Sequence, residues 1–318
     1  VFGVLAALGI WLSSAFIAAA GVINFTGLIA PNIARRVGFV NPRTQLCASM
    51  LIGAALLCAT DAAAQGLTSL TGNIVPTGVV SAIIGTPIFI WIARKSLSAL
   101  ARGGAQPGQA SGMVRSSLKK LSIPGLIMLA AAMLLLIVLN FTFINREGVW
   151  TFALADKFEL LLRIPRFITA AAAGAGLAAA GVILQRLIRN PLASPDILGV
   201  SSGAAFAMVV SALYFGGAVG SLGSLTAAGG SFAVLVVLLG LSKSSRFSPD
   251  VVVLMGIAIS AFLDSAVTLA LSRGTMENYF ILQWLSGSTY RTTPLAAAML
   301  LGAVLILISI AFAASRSM

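Results

Sequence analysis

The stretch IPRFITAAAAGAGLAAAGVILQRLI, from Ile164 to Ile188, contains no acidic residue and keeps its only cations, Arg166 and Arg186, near its two ends. About 20 mainly apolar residues suffice to cross the roughly 30 Å of hydrocarbon in a bilayer. The stretch therefore reads as a membrane-spanning helix. Inside it Ala170, Gly174 and Ala178 recur every four residues, as do Ala172, Gly176 and Ala180. Small residues at that spacing share a helix face and let two backbones approach closely, because lipid gives helices little hydrophobic drive to associate. Tight bundle packing is the main reading of these ladders, and a face lining a translocation path is the alternative.

Moving outward, comparable runs cover 1–21, 44–66, 76–94, 122–142, 198–214, 226–242, 250–272 and 294–314. A shorter segment, 23–37, is broken by Pro31 and reads as a further, incomplete span. Such broken helices are tolerated at membrane depth where they pack against protein or line a cavity. The sequence thus predicts an all-α, polytopic bundle of about ten transmembrane helices. Composition agrees: 59% of the 318 residues are hydrophobic, 9% are charged and mean hydropathy is +1.04, against about 25% charged residues in a soluble domain.

The formal charge of +12 is topological. With both ends of the chain in the cytoplasm, fourteen of the 20 basic residues fall in inner segments and six in outer ones, the sign that the positive-inside rule requires. Omitting the short span would move Arg35, Arg36 and Arg43 to the outside, so charge parity also favours keeping it. The basic residues are too scattered among apolar runs to form a nucleic-acid surface.

Several chemistries are excluded or disfavoured. There is no histidine, and Cys47 and Cys58 are the only cysteines, too few for a disulfide framework or a zinc site; they read as two small membrane-buried thiols. No catalytic group, metal site or cofactor is expected. No Gly-x-x-x-x-Gly-Lys-Ser/Thr phosphate loop occurs, so any ATP hydrolysis belongs to a partner. Two acids, Asp61 and Asp264, fall within spans, with no mid-span Lys or Arg expected to pair with them. Acids at membrane depth invite an ion-coupling hypothesis. Hydrogen bonding inside the bundle is the simpler one, with Thr60 and Gln65 near Asp61.

The stretch Arg94 to Lys120 carries six positive charges, no acid, and the run Gly103-Gly104-Ala105-Gln106-Pro107-Gly108-Gln109. It reads as a flexible cytoplasmic linker, with 97–121 dividing a four-span piece, 1–96, from a six-span piece, 122–318. The chain starts at Val1 inside an apolar run and stops just past another, so it is expected to be a piece of a longer polypeptide. After Ile188, Asn190, Pro191 and Pro195 end one helix, and Ser201, Ser202 and Gly203 open the next across a short cytoplasmic hairpin.

These residues carry a resemblance. Leu162-Arg163-Ile164-Pro165-Arg166, the Ala/Gly-rich span, Gln185, Asn190-Pro191-Leu192-Ala193 and Gly199-Val200-Ser201-Ser202-Gly203 together resemble the opening half of a FecCD-type permease. That family supplies the membrane subunits of ABC importers for ferric siderophores, haem and vitamin B12, with the type II, BtuC-like helical fold. The segments Gly21–Pro31 and Pro76–Phe89 resemble the closing half of the same permease. A closing half placed before an opening half resembles the fused double permease for ferric hydroxamates, with spans seven to ten of one copy followed by spans one to six of the next.

The resemblance implies an ABC ATPase dimer, a periplasmic siderophore-binding protein, the remainder of the fused permease, a ferric siderophore as cargo and a bacterial inner-membrane location. It implies that Arg163 and Arg166 dock acidic residues of the binding protein, and that Gly174, Ala178, Gln185, Ser201, Ser202 and Gly203 lie along the path. The family's Leu-Gly-x-x-x-Ala-x-x-Leu-Gly docking pattern for the ATPase is absent here, so the piece is expected to be inert by itself. Gln65 stands where many members have arginine and Asn32 where many have histidine. An ion-coupled secondary transporter using Asp61 or Asp264 is a rival reading, and an intramembrane aspartyl enzyme a remote one.

Overall fold

The computed structural model describes residues 9, 13–17, 20–23, 25–103, 123–146, 149–188, 190–191, 193–215, 219–243, 249–271, 282, 284–290 and 292–314. Among the described residues nine helices carry the fold: α1 (Thr26–Arg36), α2 (Pro42–Thr71), α3 (Thr77–Gly103), α4 (Ile123–Thr142), α5 (Lys157–Leu187), α6 (Val200–Phe215), α7 (Val219–Ser242), α8 (Pro249–Leu271) and α9 (Pro294–Ala314). Most of the first apolar run, 1–21, lies outside the described residues. A two-stranded antiparallel hairpin, β1 (Phe143–Arg146) and β2 (Val149–Phe152), joins α4 to α5, with Phe143 opposite Phe152. The apolar runs foretold the helices but not this hairpin, whose strands of four residues are too short to show a period.

The longest helix is α5, 31 residues or roughly 46 Å at 1.5 Å per residue. It starts at Lys157, seven residues before the apolar run does, because Asp156 and Glu159 form a capping box. The Glu159 N–H donates to Asp156 Oδ1 and the Asp156 N–H to Glu159 Oε2, both at 2.9 Å, satisfying N–H groups that the first turn leaves without partners. Pro165 lies inside the helix. From Thr169 to Gln185 α5 is almost wholly buried, which makes it the axis of the bundle.

The small-residue ladder explains how. Helix α2, 30 residues long with Pro42 in its first turn, lies against α5 where Gly53 meets Gly174. A Cβ on Gly53 would sit 2.2 Å from the Gly174 carbonyl oxygen. Helix α1 makes the same kind of contact where Gly27 meets Gly181, and α6 meets α7 where Gly203 faces Gly230. Around these backbone contacts Phe16, Ile17, Leu57, Leu177, Ile183 and Leu184 fill one core cluster. Segments on either side of the basic stretch are therefore packed together, principally through α1 and α2 on α5.

Helix α1 has 11 residues, about 16 Å, half a bilayer's hydrocarbon. It follows Phe25, held in the left-handed region at φ 69°. Helix α3 continues to Gly103, seven residues into the stretch read as linker, and residues 104–122 lie outside the description. Among the cysteines Cys58 is buried within the protein and Cys47 is not covered by it. Four described helices have the length and apolar composition to cross a membrane: α2, α5, α7 over Leu225–Ser242 and α8 over Val251–Leu271.

Candidate functional site

Two polar clusters mark the ends of the antiparallel α2–α5 pair. At the first, Asp61 of α2 is 1% exposed and forms a salt bridge with Arg166, Nε to Oδ2 at 3.1 Å. Arg166 Nη2 also donates to Oδ1 at 3.2 Å. The same carboxylate accepts from Gln65 Nε2 at 2.9 Å, from the Thr77 hydroxyl at 2.8 Å and from the Thr289 hydroxyl. The Arg166 guanidinium lies 5.5 Å from the centroid of the Tyr290 ring, within cation–π range. The clasp thus ties α2, α3, α5 and the 284–290 segment. That segment is also held by backbone bonds, Gly78 N–H to the Gly287 carbonyl at 3.0 Å and Ser288 N–H to the Ala20 carbonyl at 2.9 Å.

This corrects two expectations. Asp61 does have a cationic partner, because α5 starts earlier than the apolar run and carries Arg166 nine residues down the helix, roughly 13 Å. Arg166 is correspondingly drawn into the bundle, its side chain 14% exposed. Arg163 is partly buried and donates to the Asn140 carbonyl at the end of α4. The Gln65 bond to Asp61 was anticipated, whereas the Thr60 hydroxyl donates instead to the Leu57 carbonyl at 3.0 Å. Asp264 is exposed on α8, beside Ser265 and Thr268.

At the opposite end of the pair, α1, α2 and α5 meet through amides and guanidiniums. Arg35 Nη2 donates to Asn32 Oδ1 and Gln185 Oε1, both at 2.8 Å. Asn32 Nδ2 donates to the carbonyls of Leu28 and Pro191, again at 2.8 Å, and so ties α1 to the hairpin between α5 and α6. Arg186 donates to Gln45 Oε1 from Nε at 3.0 Å and from Nη2 at 2.6 Å, and from Nη2 to the Val40 carbonyl at 2.6 Å. Asn32, Arg35, Gln45 and Arg186 were given no site role beforehand. A buried amide beside a basic run was the available signal.

The hairpin itself is a series of turns. Asn190 N–H bonds the Gln185 carbonyl, Ala193 N–H the Asn190 carbonyl and Leu198 N–H the Pro195 carbonyl, each at 3.1 Å. Buried Pro195 abuts Gly27 of α1, and Gly199 turns the chain into α6 at φ 81°. Ser201 donates to Asp196. Burial pushes the Asp196 carboxyl up to about 6, and the Ser201 hydrogen bond offsets part of that rise.

The residues expected along a path are packed among the helices. Gly174 is in backbone contact with Gly53, Ala178 and Gln185 are buried, and Gly203 abuts Gly230 and Val234. Ser201 and Ser202 are buried at the start of α6. Small residues close helix–helix distances, and here that closure leaves them no open face. A cavity of about 20 Å³ lies elsewhere, between α1, α2 and α3, with the hydroxyls of Thr26, Thr60 and Ser81 in its wall. It holds at most one water. No group of three metal-ligating side chains occurs among the described residues.

Residues 1–95 and 120–318 match the FecCD transport family. The chain belongs to that family. It is 35% identical to the iron(3+)-hydroxamate import system permease protein FhuB of Salmonella typhimurium over 90% of its own length and 41% of the relative's. It is 32% identical to FhuB of Escherichia coli over 90% of its length and 43% of that protein. A shorter alignment, 46% of each chain, gives 35% identity to the Fe(3+)-citrate import system permease protein YfmE of Bacillus subtilis. The chain therefore spans less than half the length of these relatives. No solved structure matches it. With the apolar helices, the family makes this FecCD chain a multi-pass helical membrane protein of a transport system.

Proposed function

We propose that this chain forms part of the permease of an ABC importer that carries a ferric siderophore, an iron hydroxamate, across the bacterial inner membrane. The carrying observation is the similarity to two hydroxamate permeases over nine-tenths of the chain. On this reading 1–96 are the closing four spans of one permease copy, 97–121 a basic cytoplasmic linker and 122–318 the opening six spans of a second copy. The family match breaks between residues 95 and 120, which supports the division. Both chain ends lie in the cytoplasm, in keeping with the distribution of Lys and Arg.

The permease performs no covalent chemistry. A partner ATPase dimer drives the change between outward-open and inward-open states, and a periplasmic binding protein delivers the cargo. On this reading Arg166 organises the outer end through its bond to Asp61, and Arg163 lies nearer the docking surface. Asp61 is engaged by one guanidinium and three neutral donors, which disfavours it as an ion-coupling site. The α8 face bearing Asp264, Ser265 and Thr268 is better suited to a second subunit or a wet path than to lipid, where a carboxylate is costly.

The test is a chimera in which residues 1–318 replace the matched stretch of Escherichia coli FhuB. Uptake of ferric hydroxamate by cells with no other hydroxamate permease is the expected result. Correct membrane insertion without such uptake, or a switch to vitamin B12 or haem, would overturn the assignment of cargo.

A further inference from the structure

The guanidiniums of Arg35 and Arg186 sit at the end of the α2–α5 pair where α2 begins and α5 stops. Both are only partly exposed. Among the described residues their acceptors are neutral oxygens only: Asn32 Oδ1, Gln185 Oε1, Gln45 Oε1 and the Val40 carbonyl. Asp196 on the adjoining hairpin takes its hydrogen bond from Ser201, and the Asp61–Arg166 ion pair is at the other end. Donors outnumber acceptors so far that Gln45 Nε2, itself buried, has no partner. Arg35 Nε and Nη1 and Arg186 Nη1 are likewise bonded to no described residue.

Two neighbouring cations removed from bulk water call for a counter-anion, since an uncompensated charge is expensive to desolvate. A guanidinium fork matches phosphate oxygens in geometry and charge. Three helices converge here at the end of a bilayer-length pair, which sets the cluster at the level of the lipid headgroups. Basic pockets between transmembrane helices at such a surface suit anionic headgroups.

We infer that Arg35 and Arg186 form a binding site for the phosphodiester of an anionic phospholipid, seated between the ends of α1, α2 and α5. The bound phosphodiester, a monoanion, accepts N–H groups that the protein leaves unused and offsets one of the two positive charges. Lipid binding in this way fixes α1, and through Asn32 the 188–199 hairpin, against α5. The inference rests on the membrane fold and not on the proposed cargo.

The experiment measures lipid binding to the purified 318-residue chain in detergent by native mass spectrometry, with phosphatidylglycerol, phosphatidylcholine and inorganic phosphate as probes. Phosphatidylglycerol should bind at least tenfold more tightly than phosphatidylcholine. The double substitution Arg35→Gln/Arg186→Gln should remove that preference, whereas Lys243→Gln, an exposed cation beyond α7, should leave it intact. On the unsubstituted chain, a photoactivatable phosphatidylglycerol should label the peptides around Arg35 and Arg186, a readout independent of how the variants fold. Equal binding of the two lipids, equal loss with Lys243→Gln, saturation by inorganic phosphate alone, or labelling confined to other helices would each overturn the site.

Discussion

Replacing Arg166 by Met removes the cation from the Asp61 clasp while keeping most of the side-chain volume. The carboxylate that remains is 1% exposed, so water does not take over the lost contacts. Breaking one side of a buried ion pair costs about 3–5 kcal/mol. Gln65, Thr77 and Thr289 still donate to Asp61, which places the expected loss near the lower end. The displaced Tyr290 contact adds about 0.5–1 kcal/mol. Asp61→Asn should be milder, about 1–2 kcal/mol, because Arg166 at 14% exposed retains some contact with water and with the tyrosine ring. The double variant Asp61→Asn/Arg166→Met has neither charge and should be more stable than the two single losses predict, by about 2 kcal/mol. Denaturant unfolding of the detergent-solubilised chain, followed through loss of helix, gives all four stabilities. Single losses that add to within about 0.5 kcal/mol would refute the coupling, and with it the claim that the clasp joins the two pieces of the chain.

Other consequences are equally direct. Gly53→Val should destabilise the bundle by several kcal/mol, because even its Cβ would lie 2.2 Å from the Gly174 carbonyl oxygen. Gly66→Ala, where no atom lies within 4 Å of an added Cβ, should raise stability by up to about 1 kcal/mol. Melting temperatures of the two variants in one detergent check both. Asp156→Ala removes the α5 capping box and should cost about 1 kcal/mol, visible as faster amide exchange over residues 157–160. Asp196 is raised from the usual value of about 3.9 to about 6, so the folded chain holds that proton more tightly than the unfolded one. The stabilising contribution is complete below about pH 4 and is lost as pH rises through about 6. Asp196→Asn should therefore match the parent chain near pH 4 and exceed it by about 3 kcal/mol at pH 8, read from melting temperature against pH.

Much of the fold was legible because a membrane helix declares itself through length and hydropathy alone. The ladder of Ala170, Gly174 and Ala178 was legible as a packing face, and the structure places Gly53 against it. The errors have physical sources. Hydropathy put the start of α5 at Ile164, but hydrogen bonding at Asp156 and Glu159 set it at Lys157, and Arg166 became an interior residue as a result. An Asp-x-x-Glu cap ahead of an apolar run was a readable signal. Apart from Gln65, the partners of Asp61, namely Thr77, Arg166 and Thr289, lie far away in the chain, and no local pattern links them. The same holds for Arg35 with Gln185 and for Gln45 with Arg186. Family likeness offered Gly174 and Gln185 as path residues; in the structure Gly174 packs against Gly53 and Gln185 is buried.

Energy source separates an ABC permease from an ion-coupled carrier most directly. Membrane vesicles bearing the FhuB chimera, with ATPase and binding protein supplied, can be depleted of ATP while an ion gradient is imposed. The account predicts that uptake of ferric hydroxamate then ceases and returns on addition of ATP. Uptake that persists on the gradient alone, and that Asp61→Asn or Asp264→Asn abolishes, would contradict it.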